Sequence, residues 1–205
     1  MPPIPKILQD LSSVSFQNGE KVILNEEIRS LFPNSSQQCE SILKKGEGKQ
    51  RDLKIGILFS GGPAPGGHNV IVGIQHALSG GELIGFLNGP KGLIEKNFRK
   101  LQREEILSFR NTGGFDLLGS GRTKIETQEQ LALSAKTASD LDLDGLVIIG
   151  GDDSNTNAAI LAEYFLAKGC KTQVIGIPKT IDGDLQAKHV PISFGFDTAC
   201  RTYSE

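Results

Sequence analysis

The sequence predicts an α/β fold: a doubly wound, mainly parallel sheet with helices on both faces. Three observations carry this. Short apolar runs at 54–59, 82–87, 146–149 and 172–177 have the length of strands. Stretches with helical spacing fall between and after them, at 68–78, 129–141 and 155–167. Glycine makes up 25 of the 205 residues, against roughly 7% in average usage, and it clusters where the strand runs end. Strands alternating with helices imply parallel βαβ units. Ligands of such sheets bind at the carboxyl ends of the strands.

Taken in order, residues 1–50 read as an accessory segment and linker. Pro2, Pro3 and Pro5 predict an extended start. Short helices are expected at 26–32, stopped by Pro33-Asn34, and at 40–45. The polar run 44–51 reads as a solvated turn. The α/β domain is expected over 51–205. Its first strand, 54–59, leads into the glycine-rich run 60–67 and then a helix with Val70, Ile71, Ile74, Ala77 and Leu78 on one face. Backbone N–H groups at such a helix start can cradle an anion. The strand at 82–87 ends in the turn 88–92. The stretch 98–109 follows neither period cleanly. Arg122 stands among small residues in a loop, where it reads slightly better as a surface ion pair than as a guanidinium fork offered to phosphate.

The organising stretch is Leu-Val-Ile-Ile-Gly-Gly-Asp-Asp-Ser-Asn at 146–155. A buried strand ends at two glycines, and Asp152 and Asp153 follow at once. Ser154 and Asn155 suit a helix N-cap. The last clear strand ends at Pro-Lys-Thr-Ile-Asp-Gly-Asp, residues 178–184. A helix is expected from Gly195 onward.

Composition excludes several function classes. Twenty-two basic and 24 acidic residues give a net charge of −2, so no nucleic-acid partner is expected. No apolar run approaches the ~18 residues of a membrane span, and no signal peptide is seen. Cys39, Cys170 and Cys200 are widely spaced, which reads as reduced thiols of a cytoplasmic protein rather than a disulfide frame or zinc site.

The loops after the first, central and last strands should meet at one edge of the sheet. They carry backbone donors, several carboxylates, Lys179 and Thr180. That set suits magnesium-assisted phosphoryl transfer. Magnesium takes one or two carboxylates plus substrate phosphate. A further carboxylate can accept a hydroxyl proton while a lysine neutralises the moving phosphoryl.

The segments at 60–69, 150–155 and 178–184, with 113–116, 121–122 and 194–199, resemble the phosphofructokinases over 54–205. Within them they resemble the pyrophosphate-dependent branch, of the long type found in plants and some bacteria. The resemblance implies Mg2+ as cofactor, pyrophosphate and fructose 6-phosphate as substrates, and homo- or hetero-oligomers of family subunits. It makes Asp152 the metal ligand, Gly61 and Gly62 the diphosphate cradle, and Asp182 the base for the sugar's 1-hydroxyl. Thr180, Ile181 and Asp184 hold the sugar phosphate and shape the loop, and Arg122 matches a phosphate-facing arginine. Asp153 and Lys179 stand where the ATP-using branch has glycines. A carboxylate at 153 repels an α-phosphate, and Lys179 stabilises charge in transfer.

Pro63 departs from the branch's usual glutamine and removes an N–H donor. Family members are longer, with a second domain for the sugar phosphate, so the domain here is expected to be incomplete at its C-terminal end. Two alternatives are a truncated or regulatory non-catalytic subunit, of which the regulatory form should lack the catalytic aspartates, and an ATP-dependent kinase, which should lack Asp153 and Lys179. A dinucleotide-dependent oxidoreductase needs GxGxxG, which the first loop does not have. His76 reads as a helix-face residue, and His68 and His189 have no assigned role.

Overall fold

The structure is a computed structural model that describes residues 9–21, 24–48, 51–78, 80–180, 185 and 194–204. The proline-rich start at 2–5 and the expectations for 181–184 lie outside the described residues.

The N-terminal region is a two-stranded ribbon. β1 (Val14–Lys21) pairs antiparallel with β2 (Cys39–Lys45), Val14 opposite Lys45 and Asn18 opposite Ser41. Between them sits α1 (Glu26–Leu31), which the sequence predicts. Asn25 Oδ1 caps it by accepting from the Ile28 N–H at 2.8 Å, and Glu26 and Glu27 suit its positive end. The helix expected at 40–45 is instead β2. Pairing with β1, which the sequence reading did not foresee, satisfies the backbone instead. Lys44 and Lys45 therefore end a strand rather than start a turn. Backbone bonds from Gly46 to Ser13 and from Gly48 to Ser12 continue the pairing. The ribbon's connection is fastened to the main body through Glu163, which accepts from the N–H groups of Asn34 and Ser35.

The main sheet has five strands. In chain order these are β3 (Lys54–Ser60), β4 (Glu82–Phe86), β5 (Phe98–Lys100), β6 (Gly145–Gly150) and β7 (Gln173–Pro178). Their spatial order is β5-β4-β3-β6-β7, all parallel except β5, which runs antiparallel to β4 at one edge. The helices are α2 (Gly67–Ala77), α3 (Pro90–Ile94), α4 (Arg103–Ser108), α5 (Gln128–Asp140), α6 (Asp152–Ala167) and α7 (Phe196–Ser204). The ambiguous stretch 98–109 thus divides into a short edge strand and a short helix, neither long enough to show its period.

Alternation along the central strands sorts the core into two layers. Leu146 and Ile148 of β6, with Leu58, Ile84 and Phe86, meet Leu93 of α3, Leu131 of α5 and Leu161 and Phe165 of α6. Val147 and Ile149, with Ile57, Phe59 and Leu83, meet Ile71 and Val72 of α2 and Ile106 of α4. Helices cover both faces, which is the predicted doubly wound arrangement. Each fully buried Leu, Ile or Phe contributes roughly 1.5–3 kcal/mol. Six consecutive buried residues make β6 the axis of the fold. The chain winds outward from β3 to β4 on one side and from β6 to β7 on the other. Loops leaving β3 and β6 therefore diverge and open a crevice between them. Among the described residues no helix is long and apolar enough to cross a membrane.

Candidate active site

A cleft of about 500 Å³ lies at the carboxyl ends of β3, β6 and β7. Its walls are Ser60, Gly61 and Gly62 after β3, Gly151 to Ser154 after β6, Lys179 after β7, and the loop residues Arg122, Thr123 and Lys124. The three predicted loops do converge.

The β3 side begins with a turn that only glycine makes cheaply, since Gly61 has a φ of +85°. Its N–H donates to Gly121 O at 2.9 Å, and its carbonyl accepts from Ser120 Oγ at 2.6 Å. These bonds, with the Ser60–Gly121 bridge, bring the 120–124 segment alongside the end of β3. Arg122 then points across Gly62: a Cβ added there would lie 3.9 Å from the guanidinium Nη2.

The glycine-rich run divides in two. Its first part lines the cleft. Its second part, at the start of α2, does not, contrary to the expectation of an anion cradle there. Gly66 lies against Gly195, so close that a Cβ on Gly66 would sit 2.5 Å from Gly195 Cα. The α2 N-terminus is thus packed on the segment leading into α7. The helix that starts at the cleft is α6.

That helix begins at Asp152, with Gly151 as an N-cap that supplies no side-chain bond. Ser154 and Asn155, expected as caps, lie inside its first turn and act as fasteners. Ser154 Oγ donates to Ser60 Oγ at 2.8 Å in a buried contact between α6 and β3. Asn155 Nδ2 donates to the carbonyls of Gly150 and Gly151. Asp152 and Asp153 are exposed at the cleft, where the helix dipole favours negative charge. The Lys179 N–H donates to Gly150 O at 2.8 Å, and its Nζ lies 4.0 Å from the Cβ position of Gly151.

The structure thus brings Gly61, Gly62, Arg122, Asp152, Asp153 and Lys179 to one cleft. Thr180 follows Lys179 directly but does not line the cleft; Ile181, Asp182 and Asp184 lie outside the described residues. Among the described residues, Arg122 and Lys179 are in no ion pair, so the reading of Arg122 as a surface ion pair is not what is found.

Sequence reasoning missed Lys124, whose Nζ is 3.9 Å from Asp153 Oδ2. The Arg-x-Lys spacing at 122–124 was the available signal. It also missed Asn157 on α6, which bonds both backbone groups of Ile125: its Oδ1 accepts the Ile125 N–H at 2.9 Å, and its Nδ2 donates to Ile125 O at 2.7 Å. His68, given no role, is fully buried. Its Nε2 accepts from the Leu117 N–H at 3.2 Å, so Nδ1 carries the proton and donates to Thr112 Oγ1 at 2.9 Å. Burial pushes the imidazole below its usual range, against weaker opposition from the Thr112 backbone and Asp116. Asn69 beside it exchanges bonds with Asn111. Together they anchor the loop that delivers Arg122.

Among the described residues no three His, Cys, Asp or Glu side chains cluster as a metal cage. Mg2+ keeps water and phosphate ligands and uses one or two carboxylates. Asp152 opens onto the cleft and has no ion-pair partner among the described residues, so it suits that part.

The family model for phosphofructokinase matches residues 54–205. The chain belongs to the phosphofructokinase family. It is 54% identical over 188 residues to pyrophosphate–fructose 6-phosphate 1-phosphotransferase subunit beta 2 of Arabidopsis thaliana, covering 88% of this chain and 33% of that protein. It is 45% identical over 157 residues to subunit alpha 1 of the same organism's enzyme, covering 75% of this chain and 26% of that one. The chain therefore spans about a third of the length of the curated relatives it matches. In fold it is similar to Pichia pastoris phosphofructokinase in the T-state, with a TM-score of 0.59 at 21% identity over 74% of this chain and 17% of that chain.

Proposed function

We propose that residues 51–205 form the donor-binding α/β domain of a pyrophosphate-dependent phosphofructokinase, with 1–50 as an accessory segment. The reaction is reversible transfer of a phosphoryl group from pyrophosphate to the 1-hydroxyl of fructose 6-phosphate. The observation that carries this is the presence of Asp153 and Lys179 in the same cleft as Gly61 and Gly62.

Pyrophosphate lies over Gly61 and Gly62, whose lack of side chains lets it approach the backbone. Arg122 pairs with its oxygens, since a guanidinium fork matches phosphate geometry. Asp152 would hold Mg2+, which would supply charge neutralisation for the donor. Lys179 stabilises the charge that develops as the phosphoryl group moves. Asp182 accepts the proton of the attacking hydroxyl, and Thr180, Ile181 and Asp184 position the sugar phosphate. Asp153 presents a carboxylate where a longer polyphosphate would continue, which opposes ATP.

The ATP-dependent reading loses support from Asp153 and Lys179. The regulatory-subunit reading loses it from Asp152, Lys179 and Asp182. The two relatives above are named as subunits, and this chain is read as part of a similar assembly. Free cysteines fit a cytoplasmic setting.

Calorimetric titration of the intact protein with pyrophosphate and with ATP, in the presence of magnesium, tests the reading. Selective binding of pyrophosphate is expected. Selective binding of ATP would reverse the roles given to Asp153 and Lys179.

A further inference from the structure

We propose that Lys124 is a third phosphate-binding cation of the donor cleft, held in readiness by Asp153. The inference rests on the pyrophosphate reading above and names a specificity residue that reading does not include.

The segment carrying Lys124 is held at both ends. Gly121 O accepts from the Gly61 N–H, and both backbone groups of Ile125 are bound by the buried Asn157 side chain. Between these anchors exposure alternates: Arg122 and Lys124 are exposed, Thr123 is half-buried and Ile125 is fully buried. In extended chain, residues two apart share a side. Arg122, Thr123 and Lys124 all line the cleft, and the two basic residues are its exposed members on this segment.

Structure alone gives little reason for a lysine at this position. Its contact with Asp153 is long, at 3.9 Å, and the two side chains are 55% and 86% exposed. Such an exposed pair contributes little to stability. An ammonium on a flexible stem can leave that carboxylate for a more strongly charged oxygen cluster at small cost. Arg122, Lys124 and Lys179 against Asp152 and Asp153 leave the cleft one positive charge in excess. Pyrophosphate with one magnesium ion still carries negative charge, so a lysine held only loosely by Asp153 adds to its binding. Asp153 then has two effects. It keeps Lys124 over the cleft when no donor is bound, and it opposes any phosphate beyond the second.

The test is calorimetry and steady-state kinetics on the intact protein with magnesium, for the wild type, Lys124→Ala, Lys124→Arg and the distant surface variant Lys171→Ala. The pyrophosphate dissociation constant and KM are expected to rise about tenfold in Lys124→Ala, the scale of one charge-assisted contact. KM for fructose 6-phosphate should stay within about twofold, Lys124→Arg should restore most of the loss, and Lys171→Ala should match the wild type. Unchanged pyrophosphate affinity in a folded Lys124→Ala protein overturns the role of Lys124 and leaves the pyrophosphate reading intact. Equal losses in Lys124→Ala and Lys171→Ala overturn it as well, since net charge alone would then explain both. A wild type that binds ATP but not pyrophosphate overturns both readings together.

Discussion

Asn157 offers the sharpest test of how the cleft is held. Its side chain sits at 9% exposure and makes two hydrogen bonds to the backbone of Ile125, at 2.9 and 2.7 Å. Asn157→Ala removes both and leaves a buried N–H and a buried carbonyl. Each stranded group costs about 1–3 kcal/mol when water cannot reach it. Asn157 also lines the cleft, so water can enter from that side, and the lower end of the range applies to each group. The expected loss is about 2 kcal/mol. With a urea dependence of about 2 kcal/mol per molar, the midpoint should fall by about 1 M. Asn157→Asp should be at least as damaging, because one carboxylate oxygen then faces the Ile125 carbonyl. The same variants free the segment carrying Arg122 and Lys124, so pyrophosphate KM should rise alongside the fall in stability. A midpoint shift worth less than about 0.5 kcal/mol, the scale of neutral surface changes, would refute the argument. So would a fully destabilised variant with unchanged pyrophosphate KM.

Asp182→Ala in the intact protein should abolish phosphoryl transfer while largely sparing pyrophosphate binding; undiminished turnover removes Asp182 from the role of base. Asp153→Gly combined with Lys179→Gly should weaken pyrophosphate use and admit ATP, read as the ratio of kcat/KM for the two donors, and an unchanged ratio would sink the assignment of these positions as the selector. His68 predicts a pH dependence of stability. Its folded pKa lies below the usual 6.5, so below that pH the unfolded chain takes up the proton more readily. Stability is then flat above about 6.5 and falls as pH drops toward the folded pKa, by at most about 1.4 kcal/mol per pH unit. Urea midpoints across pH 5–8 should show this slope in the wild type and a flatter one in His68→Gln, and parallel slopes would count against it.

What the sequence made legible follows from how local each signal was. The β6 strand, the turn at 150–151 and the acids at 152–153 could be read because a buried parallel strand is a continuous apolar run and its glycine end is a short-range feature. The convergence of the three loops could be read from topology alone, since parallel strands place their carboxyl ends on one side. The ribbon at 14–45 could not be, because β1 and β2 satisfy each other across 18 to 31 positions and neither shows a strict alternation. Nor could the division of the glycine-rich run. Gly61 and Gly66 look alike in sequence, yet one opens onto the cleft and the other is consumed in contact with Gly195, 129 positions later.

The same distance effect explains the fastening residues. Ser154 reads as a cap until Ser60 is beside it, and Asn157 reads as a polar helix residue until Ile125 is. His68 reads as unassigned until the Leu117 N–H reaches its ring. In each case a residue near the start of a helix holds a strand end or a loop that lies far from it in sequence. Residues with cleft roles thus stand out by composition at strand ends. Those that fix their geometry stand out only once long-range neighbours are known. A cleft whose charged groups are mostly exposed depends on such buried polar anchors for its shape, because its ion pairs are too weakly held to set it.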